Sequence, residues 1–257
     1  MRPLRLCGEK KIMDTVIIIP ARYESTRFPG KPLALIQGCP MIGQVILRAQ
    51  KVAGVDQVCV ATDDERIREC ARPFNVMVLR TQPSHRSGTD RLAEAAAQLD
   101  LAPDTLVVNV QGDQPFFPVE AVSDLITRHR ANLHWPMSTL IYRITDLDEI
   151  PDPKQVKTVF DSTGRALYFS RSPIPFYRDG DPDPTYYKHL GIYAYRRDFL
   201  DIFTTLPTGP LEAAEKLEQL RALEHGYPVQ VIITSHDSFE VDSPEDLHRL
   251  PEGNTVF

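Results

Sequence analysis

Arg22, Arg27 and Lys31 place three cations within ten residues, in the run Pro20-Ala21-Arg22-Tyr23-Glu24-Ser25-Thr26-Arg27-Phe28-Pro29-Gly30-Lys31-Pro32-Leu33. Arginine forks onto phosphate oxygens and lysine acts on them as a point charge. The run therefore suits a nucleoside triphosphate gripped mostly by side chains. Pro29 and Pro32 stiffen it, and Gly30 lets the backbone approach an anion closely. Neither Gly-x-x-x-x-Gly-Lys-Ser/Thr nor Gly-x-Gly-x-x-Gly occurs here, so a P-loop and a dinucleotide fingerprint are both excluded. A solvated loop with ordinary charges is the competing reading. Three cations crowded beside two prolines, directly after the first apolar run, weigh against it.

Two carboxylates come next. Asp113 follows the apolar run Leu106–Val110 in Gln111-Gly112-Asp113, and Asp242 sits in Val241-Asp242-Ser243. Two aspartates from distant segments suit a magnesium ion that keeps several waters and substrate phosphates. Asp242 alone reads equally well as a helix cap. Ser87-Gly88-Thr89-Asp90-Arg91 precedes a helical stretch, where Ser87 or Thr89 can cap and spare N–H groups can meet a ligand. Arg171 could form a bidentate pair with a carboxylate. His189, at a strand start, could bond hydroxyls, although a structural histidine is the more common outcome there. No Ser/His/Asp or Cys/His constellation points to covalent catalysis, so the expected nucleophile is the substrate itself.

These residues need a scaffold. Apolar strands at Val16–Ile19, Gln57–Ala61, Val76–Leu79 and Leu106–Val110 alternate with helices at Met41–Lys51, Asp64–Ala71, Asp90–Gln98 and Val119–His129. In the third helix, Ala93, Ala96 and Ala97 share one side. This alternation predicts an α/β fold, a mainly parallel sheet with helices on both faces. After Pro136, short strands at Ser138–Tyr142, Val156–Phe160, Ala166–Phe169 and Gly191–Tyr195 predict an inserted antiparallel lobe over about 137–196. One long helix over Glu212–Glu224, a strand over Val229–Thr234 and a last helix with Ser243 as N-cap and Pro244 at its first position follow. The expected organisation is a flexible basic extension over 1–14, one domain over 15–250 and a tail over 251–257, with Met13 a candidate initiator.

Composition sets the bounds. With 257 residues, 42% of them hydrophobic, the chain can bury roughly three quarters of its unfolded surface without disulfides or structural metal. Its apolar runs, such as Val16–Ile19, are far below the ~20 residues of a membrane span. Four cysteines, spaced 32, 20 and 11 residues apart, form no metal-binding pattern and fit a reducing cytoplasm. Cys59, in Val58-Cys59-Val60, reads as a small buried thiol. The net charge of −6 argues against nucleic-acid and membrane partners. Residues 1–100 carry +4 and the remainder −10, a distribution in which a basic N-terminal part can serve a small polyanion.

The run PARYESTRFPGKPL closely resembles the nucleotide-binding signature of the CMP-Kdo synthetases, the 3-deoxy-manno-octulosonate (Kdo) cytidylyltransferases of bacterial lipopolysaccharide synthesis. The resemblance continues, in the family's order, through ATDDERI, SGTDR, VNVQGDQP, ALYFSRSPIP, YKHLGIYAY, EKLEQLRALE and VDSPEDL, over about residues 15–250. It implies a Rossmann-like nucleotidyltransferase domain that joins CMP from CTP to the anomeric hydroxyl of Kdo and releases pyrophosphate. It also implies catalytic roles for Arg22, Lys31 and Asp113, and CTP binding by Arg22, Arg27, Lys31, Ser87, Gly88, Thr89 and Arg91. Sugar binding falls by resemblance to Gln111, Arg171, His189, Glu218 and Gln219, and Mg²⁺ to Asp113 and Asp242. A cytoplasmic homodimer is further implied.

Two positions depart from the commonest family pattern, which has Glu at the place of Gln114 and Gly at that of Glu240. The pair GDQP and EVDSPED resembles the subgroup that activates 8-amino-3,8-dideoxy-octulosonate, and Glu240 is then the expected partner of the sugar ammonium. An expectation of another class, a non-catalytic CTP sensor, is disfavoured because a mere binder need not keep a second, distant metal carboxylate.

Overall fold

The computed structural model of the chain describes residues 14–24, 28–85, 87–179, 184–241 and 243–248. Most of the basic extension, Arg27, Asp242 and the tail over 251–257 lie outside the described residues. The strands and helices of the first half are β1 (Thr15–Pro20), β2 (Leu35–Ile36), β3 (Cys39–Pro40), α1 (Met41–Ala49), β4 (Gln57–Thr62), α2 (Glu65–Ala71), β5 (Met77–Arg80), α3 (Gly88–Gln98), β6 (Leu106–Asn109) and α4 (Val119–Arg130). Those of the second half are β7 (Met137–Arg143), β8 (Lys157–Phe160), β9 (Ala166–Ser170), β10 (Tyr187–Arg196), α5 (Arg197–Thr205), α6 (Pro210–Glu215), α7 (Gln219–Glu224) and β11 (Val229–Thr234).

The main sheet runs β11-β7-β10-β6-β1-β4-β5. β1 is parallel to β4 and β6, β4 to β5, and β7 to β11, whereas β10 runs antiparallel to both β6 and β7. Successive residues of a strand face opposite sides, and in β1 both sides are apolar. Ile17 and Ile19 pack under α1, α2 and α4, while Val16 and Ile18 pack under α3, α5 and α7. Cys59 lies in this core, where burial pushes its thiol up to about 12. Among the described residues no helix is long and apolar enough to cross a membrane.

The strand-rich segment supplies the expected antiparallel pairing. Among the described residues all its strands join one nine-stranded sheet, β7 and β10 within its main path and β8 and β9 branching from β10. β10 sends Leu190, Ile192 and Ala194 into one core and Tyr195 into the other, which requires a place between covered strands. β8 and β9 form an antiparallel pair beside it, joined to β10 through Lys157 and Lys188. The buried face of α3 is Leu92, Ala95 and Ala96, with Ala97 exposed, because Leu92 sets the phase of the helix. The single helix expected over Glu212–Glu224 is two helices. Lys216 takes the left-handed conformation at φ 56°, and α7 folds back so that the Glu224 carboxylate accepts from Leu211 N and Glu212 N at the start of α6. The last helix is a 3-10 turn over Pro244–His248, which begins at Pro244 as expected, and the Ser243 N–H and hydroxyl both donate to the Asp246 carboxylate.

Candidate active site

β1 stands where the strand order reverses, with β4 on one side and β6 on the other. Open α/β sheets hold ligands in the crevice outside the carboxyl ends of such strands. The segments leaving β1 and β6 meet there, with Gly112 N bonded to Pro20 O at 3.3 Å. They form a cavity of about 180 Å³ lined by Arg22, Lys31, Ser87, Gly88, Arg91, Gln111 and Asp113.

Each of these residues has a local cause. Lys31 begins a 3-10 turn behind Gly30, whose φ of 72° favours glycine, and a Cβ there would meet the Tyr23 ring at 3.2 Å. Tyr23 is itself held under the Arg66 guanidinium, 3.2 Å from its ring centre, and Asp64 fixes Arg66 with bonds of 3.0 and 2.6 Å. Lys31 is buried, and its Nζ donates to Asp113 Oδ2 at 2.7 Å. Arg22 lines the same cavity from the exposed side of the loop. At the start of α3, Ser87 Oγ accepts from Asp90 N at 3.1 Å, the capping bond that its position predicts. Arg91 is buried and paired with Asp63 at 3.2 Å and with the Thr81 hydroxyl. Thr89 points away from the cavity, to Glu218 Oε2 at 2.5 Å.

A second cavity, of about 800 Å³, adjoins the first and shares Gln111 and Asp113 with it. Arg171 and His189 line it. The Glu215 carbonyl and the Pro153 carbonyl hold the Arg171 guanidinium at 2.7 and 2.8 Å. His189 has a defined tautomer. The Thr139 hydroxyl donates to Ile192 O at 2.7 Å, so it accepts from His189 Nε2 at 2.8 Å, and Nδ1 is left as an acceptor. Burial lowers this imidazole's pKa to about 3, so the ring is neutral near pH 7. Glu218 and Gln219 line neither cavity: Glu218 holds Thr89, and Gln219 Oε1 accepts from the Tyr193 hydroxyl at 3.0 Å. They stand at the start of α7, just after the left-handed break at Lys216, which the polar composition of the stretch conceals.

Sequence reasoning passed over Lys188, Glu149 and Asp237, all in the wall of the second cavity. A signal existed, because the period-2 pattern of Leu190, Ile192 and Ala194 puts Lys188 on a buried side. Burial alone would lower the Lys188 pKa, but its bonds to Asp237 and Glu149 outweigh that and hold it raised. His85 also lines the first cavity, fixed by Glu94 at 2.5 Å.

Asp113 stands at the junction. Its side chain is 42% exposed, and among the described residues only Lys31 holds its carboxylate. Its carbonyl accepts from Val241 N at 3.2 Å, so the residue just before Asp242 is bonded to Asp113. No group of three or more His, Cys, Asp or Glu side chains able to hold a metal occurs among the described residues. A partly open carboxylate beside a cationic cavity fits a hard cation shared with substrate phosphates, and does not fit an all-protein cage.

Crevice, cation loop and paired cavities define an α/β nucleotidyltransferase. The chain belongs to the cytidylyltransferase family, whose model matches residues 16–234. The 3-deoxy-manno-octulosonate cytidylyltransferase of Desulfosudis oleivorans is 52% identical over 238 residues, 93% of this chain and 96% of its own length. The 8-amino-3,8-dideoxy-manno-octulosonate cytidylyltransferase of Shewanella sediminis is also 52% identical over 238 residues, 91% of this chain and 96% of its own. Among solved structures, a CMP:2-keto-3-deoxy-manno-octonic acid synthetase complexed with CTP matches with a TM-score of 0.87 at 42% identity, over 92% of this chain and 96% of that one.

Proposed function

We propose that this enzyme transfers CMP from CTP to the anomeric hydroxyl of Kdo and releases pyrophosphate. The observation that carries the reading is the meeting of two cavities at Gln111 and Asp113, one rich in cations and one holding Arg171 and a neutral His189. Arg22, Arg27 and Lys31 bind the triphosphate. The start of α3, with Ser87, Gly88 and Arg91, faces the cytosine. Arg171 pairs with the sugar carboxylate, and His189 Nδ1 accepts from a sugar hydroxyl. The two substrates then meet at the junction, where the anomeric oxygen attacks the α-phosphorus. The bond to pyrophosphate breaks and the hydroxyl proton leaves to solvent. Alignment and charge stabilisation account for the rate. Asp113 and Asp242 would hold Mg²⁺, which supplies positive charge to the leaving phosphates. Glu218 and Gln219 act at one remove, through Thr89 and Tyr193.

Pyrophosphate release from CTP and Mg²⁺ with Kdo tests the reading, and CTP binding without release would support the sensor instead. The resemblance also supports a homodimer in the cytoplasm; light scattering at twice the chain mass checks the first part.

One observation favours 8-amino-Kdo as a second reading. Gln114 Nε2 donates to Glu240 Oε1 at 2.6 Å and to Leu190 O at 2.8 Å, so the two unusual positions touch. A Glu at 114 would face Glu240 with like charge, whereas Gln bonds it and keeps a carboxylate in the sugar cavity. Among the described residues that cavity is lined by six acids, Asp113, Glu149, Asp152, Asp237, Glu240 and Asp246, against three cations, Lys154, Arg171 and Lys188. Such a surplus suits a sugar bearing an ammonium. Glu240→Gly should reduce kcat/KM for the amino sugar by about tenfold more than for Kdo, as expected for one charge-assisted contact. Equal losses on both sugars would sink this reading.

A further inference from the structure

β7 and β11 are parallel neighbours, with Tyr142 opposite Thr234, and both end at the rim where β10 begins, with Lys188 opposite Tyr142. Two connections leave this rim. One passes through the 3-10 turn Leu147–Glu149, and the other is the segment 235–241. Lys188 joins them. Its Nζ lies 2.7 and 2.8 Å from the Glu149 oxygens and 2.8 Å from Asp237 Oδ2, and its side chain is 3% exposed. Glu149 and Asp237 are 26% and 45% exposed, so the cation is the buried member of the triad.

The segment 235–241 has a second anchor, at Val241 N on Asp113 O, and between the two anchors it carries Glu240 into the sugar cavity. We infer that Lys188 is a positioning residue that clasps these two connections together and so sets the wall of the sugar cavity that runs from Asp237 to Glu240. The proposal rests on the sugar-transfer reading for its kinetic consequence, but the clasp itself does not depend on it. A buried cation shared by carboxylates from two otherwise separate connections has a definite consequence on removal. Glu149 and Asp237 would face one another as like charges, and the 235–241 segment would lose the anchor farthest from Asp113.

The test compares wild type, Lys188→Met, Lys188→Arg and the milder Asp237→Asn. In steady-state pyrophosphate release, Lys188→Met should raise KM for the sugar roughly ten- to a hundredfold, the scale of a slightly misplaced site. KM for CTP should stay within about twofold. Asp237→Asn should move the sugar KM in the same direction by less. Lys188→Arg should recover most of the loss, because a guanidinium can bridge two carboxylates. Hydrogen exchange on the substrate-free enzymes supplies the independent reading. Lys188→Met should speed exchange at 147–150 and 235–241 and leave β1 and β6 unchanged. Unchanged exchange in those two segments, or a uniform rise across the sheet, would overturn the clasp. An unmoved sugar KM in an active Lys188→Met enzyme would overturn its effect on the site. If wild type releases no pyrophosphate, the functional reading fails, and the exchange pattern still decides the clasp.

Discussion

Asp113 has Lys31 at 2.7 Å, and among the described residues nothing else holds its partly exposed carboxylate at the meeting of two cavities, so its charge can be changed with little change in shape. Asp113→Asn should lower turnover by about a hundredfold or more, the scale of losing a charge aimed at the reacting phosphates. The same variant should keep a thermal midpoint close to wild type, since the group is partly exposed; pyrophosphate release and a melting curve measure the two. Retained activity would remove the metal-holding role. At this scale Arg22, Lys31 and Asp113 were legible as the lining of one cavity, because a glycine-bounded charge after an apolar strand has few other uses. Glu218 was not legible as a support for Thr89, since a polar helix looks the same whether it faces solvent or another side chain.

Among the elements, α1 shows how packing overrides local preference. Gly43 lies inside this helix, where glycine is worse than alanine by about 1 kcal/mol. A Cβ there would fall 2.2 Å from the Phe74 ring, however. Overpacking costs about 1–3 kcal/mol, so Gly43→Ala should destabilise the protein, as a lower urea midpoint would show. A gain in stability would mean that Phe74 moves aside freely. The break between α6 and α7 belongs to the same scale. Nothing in Glu212–Glu224 forbids a continuous helix, and the break follows from burying Leu217 and from placing Glu224 across the start of α6. Strand β10 was legible as a strand but not in its place, because pairing partners are chosen by both cores together.

For the whole molecule, two histidines tie stability to pH, one fully buried and the other half-buried in the wall of the second cavity. His129 is fully buried, its Nδ1 bonded to Ser138 Oγ at 2.7 Å, and burial lowers its pKa to about 4; that of His189 falls to about 3. The unfolded chain protonates both near the ordinary value of 6.5, while the folded protein does not. Between pH 6.5 and about 4 the unfolded state therefore binds more protons, and stability falls as pH falls. Above about pH 7 these two groups contribute no slope. His129 alone is worth on the order of 3 kcal/mol across that window. Urea titrations at pH 7.5 and 5 should show a lower midpoint at pH 5, and His129→Asn should narrow the gap. An equal gap in both proteins would place the acid sensitivity elsewhere.

The amino-acid sequence determined the strand–helix alternation, the cation loop after the first strand and the carboxylate after β6, since each is a local pattern of residue types repeated at a helix or strand period. The tertiary structure alone decided that Gln114 and Glu240 touch, that Lys188 gathers Glu149 and Asp237, and that Glu218 stands behind the cavity. Those contacts join residues 39 to 129 positions apart. Their partners are selected by which surfaces the two apolar cores bring together, and no local periodicity records that choice.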